Sequence, residues 1–306
     1  MLNRGEPLST WLSRIVRRQC CQVLLMMTKV MRIDSHQHFW DLEKLPYPWM
    51  PPAPSVLRRN YLPQDLQPIL QENRMDGCVT VQATQVAAEA EWMLDLADQF
   101  PFIKGVVAWV DLQDERVGAR LDQLMKHPKF KGVRHLVQDE PDPKWALQPR
   151  VIRGLKELES RRLPYDLLIK PPQLPVVQPL IDQLPDLPLV IDHIAKPYIK
   201  DRQMEPWAHQ MEELSRVPHL HVKLSGMITE ADHRDWKAAD LAPYVNHVYQ
   251  AFGPKRCMFG SDWPVCLLAG TWKEVLAAMT QCLGPLPPAA RDEVMGGTAV
   301  RFYRLT

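Results

Sequence analysis

Glycine and cysteine are scarce in this sequence, and neither sign of charge predominates. The chain has 13 glycines, 29 prolines and six cysteines among 306 residues, a balance that provides many element boundaries but few flexible loops. Its 37 basic and 36 acidic side chains leave a formal net charge of +1, which favours neither a nucleic-acid partner nor an anionic membrane. Hydrophobic residues at 46% and charged residues at 24% exclude a disordered chain and a coiled coil.

Common disulfide, zinc and nucleotide motifs are also missing from the sequence. The cysteines form no CxxC pair and show no regular spacing, which argues against a zinc ribbon or a disulfide framework. No GxGxxG or GxxxxGK segment occurs, and a Rossmann-type nucleotide site would require such a glycine-rich turn. We therefore expect a globular protein of a reducing compartment, the cytoplasm, without a nucleotide-binding loop.

The first thirty residues differ in composition from the rest of the chain. Five basic residues accompany a single acid, Glu6, as in a mitochondrial transit peptide. The longest apolar run, Val23–Met27, is far shorter than the roughly 20 residues that a membrane span needs. The alternative is a poorly ordered leader ahead of a later start methionine. We therefore predict a leader over residues 1–30 and a single domain over residues 31–306.

After residue 30, short apolar runs alternate with helix-length amphipathic segments. This alternation is the signature of βα units. Eight such units over residues 31–306 predict a single (β/α)8 TIM barrel of the α/β class, with functional residues at the carboxyl ends of the strands. The eight runs are Arg32–Phe39, Gly77–Ala83, Gly105–Asp111, Gly132–Gln138, Tyr165–Ile169, Leu187–His193, Leu220–Ser225 and Cys257–Asp262.

Histidines and an aspartate stand at three of the predicted strand ends. Successive residues of a strand alternate between its faces, so Asp34, His36 and His38 are expected on one face of the first strand. His193 ends the sixth strand and Asp262 ends the eighth. Taken singly, each has an ordinary interpretation: a hydrogen-bonded histidine pair, a histidine in the barrel wall, a turn-forming aspartate. Their convergence on one barrel mouth predicts a site for a divalent cation or a substrate oxygen, because barrel interiors are otherwise apolar.

Four further polar residues are predicted to face the same mouth. Lys223 and Ser225 share the inward face of the seventh strand. Arg134 lies on the fourth strand and Gln82 ends the second. Burying a cation is costly unless it meets an anion or a ligand, so these side chains are predicted substrate contacts. For Arg134 and Lys223, the alternative is a structural ion pair with an acid at a strand end.

The loop after the first strand is long and rich in aromatic residues and proline. Trp40 begins it, and Tyr47 and Trp49 follow among the prolines, which predicts a stiff apolar wall beside the mouth. Flat aromatic rings suit the apolar faces of a sugar ring, so Trp40 is a predicted substrate contact. Ordinary packing is the alternative.

Several longer segments carry a family resemblance. They are MRIDSHQHFWDL, YPWMPP, KGVRHLVQDEPDP, VIDHIAKP, VKLSGM and FGSDWPV. Through them the chain resembles the amidohydrolase superfamily, in particular its sugar-lactonase branch, which includes L-fuconolactonases and L-rhamnonolactonases. The resemblance implies a TIM barrel that opens a lactone, most often a sugar lactone, to the hydroxy acid. It also implies that His36, His38, His193 and Asp262 occupy the metal and catalytic positions.

Two departures from the superfamily pattern narrow the expected chemistry. The fourth strand ends in Arg134 and His135 rather than a carboxylatable lysine, which argues against a two-metal centre. Lys223 and Ser225 stand where the related metal-dependent decarboxylases have a histidine. One divalent cation, zinc or manganese, is therefore expected. Metal-free catalysis stays open, because the related pyrone-dicarboxylate lactonase uses similar residues without a metal.

Asp262 and His193 are the catalytic residues implied by the resemblance. Asp262 is expected to activate the water that attacks the lactone carbonyl, bound to metal if one is present. Without a metal, the three histidines would polarise the carbonyl by hydrogen bonds. A small-molecule lactone is the predicted partner, and a homodimer stays open. The alternatives are a decarboxylase or amidase of a small carboxylic acid on the same barrel, and a barrel that binds without catalysis.

Overall fold

The computed structural model describes residues 30–306, and in this range the predicted strands form one parallel sheet. Neighbouring strands follow the chain order from the first to the eighth. Each strand overlaps the apolar run that predicts it, which confirms the eight βα units. The strands are β1 Ile33–Gln37, β2 Gly77–Val81, β3 Ile103–Ala108, β4 Phe130–His135, β5 Tyr165–Leu167, β6 Leu189–Ile191, β7 His221–Leu224 and β8 Cys257–Phe259.

The sheet closes on itself between β1 and the residues that follow β8. Gln37 and Trp263 form a parallel bridge. The amide of Asp262 donates to the carbonyl oxygen of His36 at 2.8 Å, and the amide of His38 donates to that of Trp263 at 2.7 Å. The fold is therefore the predicted (β/α)8 barrel, and its closure sets the two histidines of β1 beside Asp262.

Helices cover the outside of the barrel between the strands. The first was not predicted, because it begins at Pro63 and contains Pro68, and proline usually signals a loop. Pro63 occupies the first turn, where a missing amide hydrogen costs nothing. The helices are α1 Pro63–Glu72, α2 Ala87–Gln99, α3 Val117–Leu124, α4 Pro149–Ser160, α5 Val177–Gln183, α6 Trp207–Ser215, α7 Met227–Glu230, α8 Ala238–Phe252, α9 Trp272–Leu283, α10 Pro288–Asp292 and α11 Thr298–Tyr303.

Apolar side chains seal the amino end of the barrel. Ile33 and Val79 from the strands cluster there with Phe302 of α11. The chain just before α11 packs directly on the start of β1, since a Cβ on Gly296 would lie 1.8 Å from the carbonyl oxygen of Met31. Polar residues of the interior are therefore concentrated toward the opposite, carboxyl end.

Asp34 does not lie on the face predicted for it. The pairing of β1 with β2 shifts register within the strand, which breaks the simple alternation of faces. The Asp34 carboxylate accepts hydrogen bonds from the amide of Ser261 at 2.9 Å and from the indole of Trp272 in α9 at 2.8 Å. It therefore ties the barrel wall to α9 instead of joining His36 and His38.

The structure describes the predicted domain but not the predicted leader. Residues Met31–Thr306 form one compact unit, and no helix within residues 30–306 is long and apolar enough to cross a membrane. Residues 1–29 lie outside the described residues, so the leader and its transit-peptide interpretation stay predictions.

Candidate functional site

Four buried side chains from three strand ends converge at the carboxyl end of the barrel. We call His36, His38, His193 and Asp262 the mouth cluster. The Nε2 atoms of His36 and His38 are 3.2 Å apart. Oδ1 of Asp262 lies 3.3 Å from Nε2 of His38, 3.9 Å from that of His36 and 3.8 Å from that of His193. The structure thus brings together the four residues that the sequence singled out.

The chain after β6 adopts a backbone conformation that is rare for its residue types. Four consecutive residues, His193–Lys196, have positive φ angles of 53°, 47°, 59° and 51°. A left-handed turn costs roughly 1–2 kcal/mol for each L-residue, and such strain concentrates at functional sites. Asp262 also has a positive φ, 58°. The turn directs both His193 and Lys196 to the cavity at the barrel mouth.

The loop after β7 holds the ring of His193 in place. Oγ of Ser225 lies 2.8 Å from Nδ1 of His193, and Gly226 packs against the same ring. Gly226 has a φ of +67°, and a Cβ there would lie 2.6 Å from Nδ1 of His193. Glycine is thus required both for the conformation and for the close contact. Ser225 is fully buried, so it supports His193 from behind.

Hydrogen bonding and burial define the charge state of the mouth cluster. Nδ1 of His38 is 2.7 Å from the carbonyl oxygen of Val81; a carbonyl only accepts, so Nδ1 carries the proton and Nε2 presents a lone pair. Burial lowers the pKa of His36, His38 and His193, which keeps these imidazoles neutral. Burial opposes ionisation of Asp262, yet the neighbouring His193 outweighs it and holds the pKa of the Asp262 carboxyl below the ordinary value. Neutral nitrogens therefore surround a carboxylate.

Three members of the mouth cluster, His36, His38 and Asp262, lie close enough together to hold one divalent cation. Ligand atoms at about 2.0–2.2 Å from a tetrahedral zinc lie about 3.4 Å from one another. Nε2 of His38 is separated from Nε2 of His36 and Oδ1 of Asp262 by 3.2 Å and 3.3 Å. Zinc and manganese both accept imidazole and carboxylate donors. Nη1 of Arg134 lies 3.1 Å from Nε2 of His36. A cation bound at this nitrogen would take the place of the hydrogen bond from Arg134.

A second polar cluster lies deeper inside the barrel, and we call Asp166, Asp192, Lys223 and Tyr303 the ion cluster. Lys223 donates to Asp166 and its Nζ lies 3.1 Å from Oδ1 of Asp192. The Tyr303 hydroxyl donates to Asp166 at 2.8 Å. The sequence predicts a substrate contact for Lys223, but the structure places its ammonium, fully buried, between two carboxylates. Lys223 therefore forms a structural ion pair, which was the alternative to a substrate contact. Nζ also lies 3.1 Å from Nδ1 of His36, which links the two clusters.

Arg134 lines the cavity while its guanidinium is held from behind. Nε and Nη2 donate to Oε1 of Gln82 at 3.1 Å and 2.8 Å. Nη1 lies 3.2 Å from Oδ2 of Asp192. Gln82 is fully buried, so its contact is with Arg134 and not with the cavity. Gln82, one of the predicted substrate contacts, therefore orients Arg134.

The aromatic loop after β1 contributes a wall to the cavity through Trp49. Trp40 is fully buried, donates its indole N–H to the carbonyl oxygen of Arg59 at 2.8 Å and meets the Trp49 ring edge-on at 5.6 Å. Trp49 donates to the carbonyl oxygen of Ala83 at 2.6 Å. The predicted wall therefore exists, but Trp49 forms it and Trp40 supports it.

The cavity also includes polar residues that the sequence did not single out. Gln138 and Asp139 follow β4, and Lys196 ends the left-handed turn. All three fall inside segments that carry the family resemblance, which was the available signal. The residues lining the cavity are His38, Trp49, Ala83, Arg134, Leu136, Gln138, Asp139, Leu168, His193, Lys196, Asp262 and Val265.

Comparisons relate the chain to proteins of known family. A family profile described as Amidohydrolase matches residues 33–305. An L-fucono-1,5-lactonase of Burkholderia ambifaria is 38% identical over 279 residues, which cover 90% of this chain and 96% of that protein. An L-fucono-1,5-lactonase of Burkholderia multivorans is 37% identical over 289 residues, with 90% and 96% covered.

A solved structure gives the same relationship. The crystal structure of an amidohydrolase from Burkholderia multivorans with bound zinc matches with a TM-score of 0.85 at 37% identity, covering 90% of this chain and 100% of that chain. These matches confirm the resemblance inferred from the sequence segments. Because the family profile spans the whole barrel and the relatives share more than a third of its residues, the chain belongs to the amidohydrolase family.

Proposed function

We propose that this protein hydrolyses a sugar lactone to the hydroxy acid, with L-fucono-1,5-lactone as the leading substrate. The proposal is carried by the carboxylate of Asp262 standing among three neutral imidazoles at a cavity. Relatives named L-fucono-1,5-lactonase match 90% of the chain. The apolar face of Trp49 and the polar groups of Gln138 and Asp139 suit a polyhydroxylated ring.

One divalent cation held by the mouth cluster would polarise the lactone carbonyl and lower the pKa of the attacking water. His38 is prepared for this role, because donation from its Nδ1 to Val81 leaves the Nε2 lone pair available. The same hydrogen bond argues against the metal-free alternative, since Nε2 of His38 then has no proton to donate to an oxyanion. Ser225 and Gly226 orient His193 beside it.

Asp262 performs the proton transfers in the proposed reaction. Its carboxylate takes a proton from water as the water attacks the carbonyl carbon, and gives that proton to the ring oxygen as the acyl–oxygen bond breaks. Its backbone amide, bonded to the carbonyl oxygen of His36 at 2.8 Å, fixes the carboxylate at the barrel seam. Arg134, oriented by Gln82, is placed to bind a substrate hydroxyl.

Hydrolysis of a panel of sugar lactones, followed with a pH indicator, tests the proposal together with elemental analysis of the protein. We expect about one zinc or manganese per chain, and activity that is lost on chelation and restored by metal. A metal-free protein with full activity would contradict the metal assignment. The absence of acid release from every lactone would contradict the lactonase assignment, and carbon dioxide release from a small carboxylic acid would favour the decarboxylase alternative.

We propose zinc as the metal, because the Burkholderia multivorans amidohydrolase structure contains it. A homodimer and a cytoplasmic location stay predictions from the sequence. Light scattering of the purified protein tests the first, and imaging of a tagged chain tests the second.

A further inference from the structure

Lys196 lies at the cavity beside His193 and Asp262. It ends the left-handed turn, and its amide donates to the carbonyl oxygen of His193 at 2.8 Å. Its side chain lines the cavity with His193 and Asp262 and is 18% exposed. A turn of four strained residues persists only where the surroundings hold it, and this one brings an ammonium group to the cavity together with His193.

Glu230 holds that ammonium from the neighbouring loop. Oε1 of Glu230 lies 3.3 Å from Nζ of Lys196, and its side chain is 25% exposed. Glu230 ends α7, the short helix that follows Gly226, and its carbonyl oxygen accepts a hydrogen bond from the amide of Lys200 at 3.0 Å. The loops after β6 and β7 are thus joined by several contacts, among them that of Gly226 with His193, this ion pair and the hydrogen bond from Lys200.

The charges around the cavity disfavour an anionic substrate. The two cationic side chains of the lining, Arg134 and Lys196, each have a carboxylate partner, Asp192 at 3.2 Å and Glu230 at 3.3 Å. Asp262 adds a negative charge beside the reacting position. A carboxylate on the substrate would meet cations whose charge is already compensated. A hydroxyl group would still find donors, because an ammonium has three N–H bonds and Glu230 uses one.

We propose that Lys196 contacts the substrate as a hydrogen-bond donor to its hydroxyl groups, and that Glu230 makes the site selective for uncharged lactones. Removing the Glu230 charge frees the Lys196 ammonium to pair with a substrate anion. This inference rests on the proposed lactone hydrolysis and adds two residues that determine which lactones are accepted.

Glu230→Gln tests the inference with a matched pair of substrates. One is L-galactono-1,4-lactone, and the other carries a carboxylate in place of its C6 hydroxymethyl group. The ratio of kcat/KM for the charged lactone over the neutral one should rise about tenfold in Glu230→Gln. Asp232→Asn is the control, because Asp232 pairs with Lys200 at 3.6 Å on the exposed surface of the same two loops. It removes the same charge nearby and should change the ratio less than about twofold.

The double variant Lys196→Gln/Glu230→Gln separates a direct contact from a general change in charge. The gain for the charged lactone should disappear in it, because the cation that would bind the anion is gone. Equal ratios in wild type and Glu230→Gln, or a gain that survives in the double variant, would overturn the inference while leaving lactone hydrolysis intact. A wild-type protein that opens no lactone would overturn the proposed function and this inference together.

Discussion

The mouth cluster and the ion cluster lie inside one barrel, yet they use buried polar groups differently. In the ion cluster, the ammonium of Lys223 stands between the carboxylates of Asp166 and Asp192, and all three side chains are fully buried. In the mouth cluster, the polar atoms of His38, His193 and Asp262 face a cavity. Both clusters meet the requirement that a charge inside a barrel has a partner. Burial alone therefore does not mark a reactive group, whereas a polar side chain that faces a cavity is a candidate for one.

The backbone differs between the clusters as well. Asp166 lies within β5 and Lys223 within β7, where the strands are regular. His193 and Asp262 lie just beyond their strands and have positive φ angles of 53° and 58°. Regular strands place the Asp166–Lys223 ion pair at no conformational cost, while His193 and Asp262 occupy strained positions that the surrounding packing maintains.

Asp262→Asn should give the largest effect and should act on activity rather than on the stability of the fold. The amide cannot take a proton from water, so kcat for lactone hydrolysis should fall about 10³-fold or more. The melting temperature should change little, since the backbone hydrogen bond of residue 262 to His36 is retained. Steady-state kinetics and scanning calorimetry measure the two. A variant that keeps most of its activity would show that Asp262 is not the general base.

Lys223→Met, in contrast to Asp262→Asn, should lower the stability of the fold. Asp166 and Asp192 would then be buried without their shared cation, and the free energy of unfolding should fall by about 3–5 kcal/mol. Urea denaturation measures it. Lys273→Met is the control, because the side chains of Lys273 and Glu72 form a pair that is 71% and 67% exposed; its effect should stay below about 0.5 kcal/mol. Equal stability of the two variants would contradict a structural role for the ion cluster.

Gly226→Ala should disturb the mouth cluster without removing a reactive group. A Cβ there would press on the His193 ring, and displacement by about 1 Å should lower kcat/KM up to about 100-fold. Gly253→Ala is a matched control: its φ is +74°, but a Cβ there would have no neighbour within 4 Å. Both substitutions carry backbone strain, so both should lower the melting temperature. Similar activity in the two variants would mean that the His193 contact does not position the ring.

The buried carboxyl of Glu89 shows how burial couples the stability of the fold to pH. It lies outside both clusters and accepts hydrogen bonds from the amides of Ala83 and Thr84 at 3.0 Å and 3.1 Å. Burial raises the pKa of its carboxyl from 4.5 to about 8. The folded state therefore keeps a proton that the unfolded state loses near pH 4.5, so this contribution to stability is lost as the pH rises toward 8.

Glu89→Gln should remove that loss, a smaller effect than the preceding ones. The melting temperature of wild type relative to Glu89→Gln should decline from pH 5 to pH 8.5 in scanning calorimetry. Glu91→Gln, two residues away on α2, is the control: the hydrogen bond from Arg120 lowers the pKa of Glu91, so the difference between wild type and this variant should stay constant over the same pH range. Parallel pH curves for wild type and Glu89→Gln would show that the Glu89 carboxyl titrates normally.

Much of the barrel and part of the site were predictable from local patterns. Apolar runs of strand length and amphipathic segments recur in order, so the eight strands could be found without knowing their contacts. Helix α1 was missed because Pro63 and Pro68 resemble loop residues. Asp34 was assigned to the wrong face because a register shift in β1 leaves no mark on residue order.

The sequence by itself determined the fold class, the strand order and the chemical types available at the strand ends, because these follow from periodicity and from where polar residues interrupt it. Only the tertiary structure decided which buried charges pair with one another and which face the cavity. Lys223 and Lys196 illustrate this: the first follows strand alternation inward and meets two carboxylates, while the second reaches the cavity through a left-handed turn. Side-chain partners depend on residues far apart in the chain, and that turn is stabilised by packing rather than by local preference.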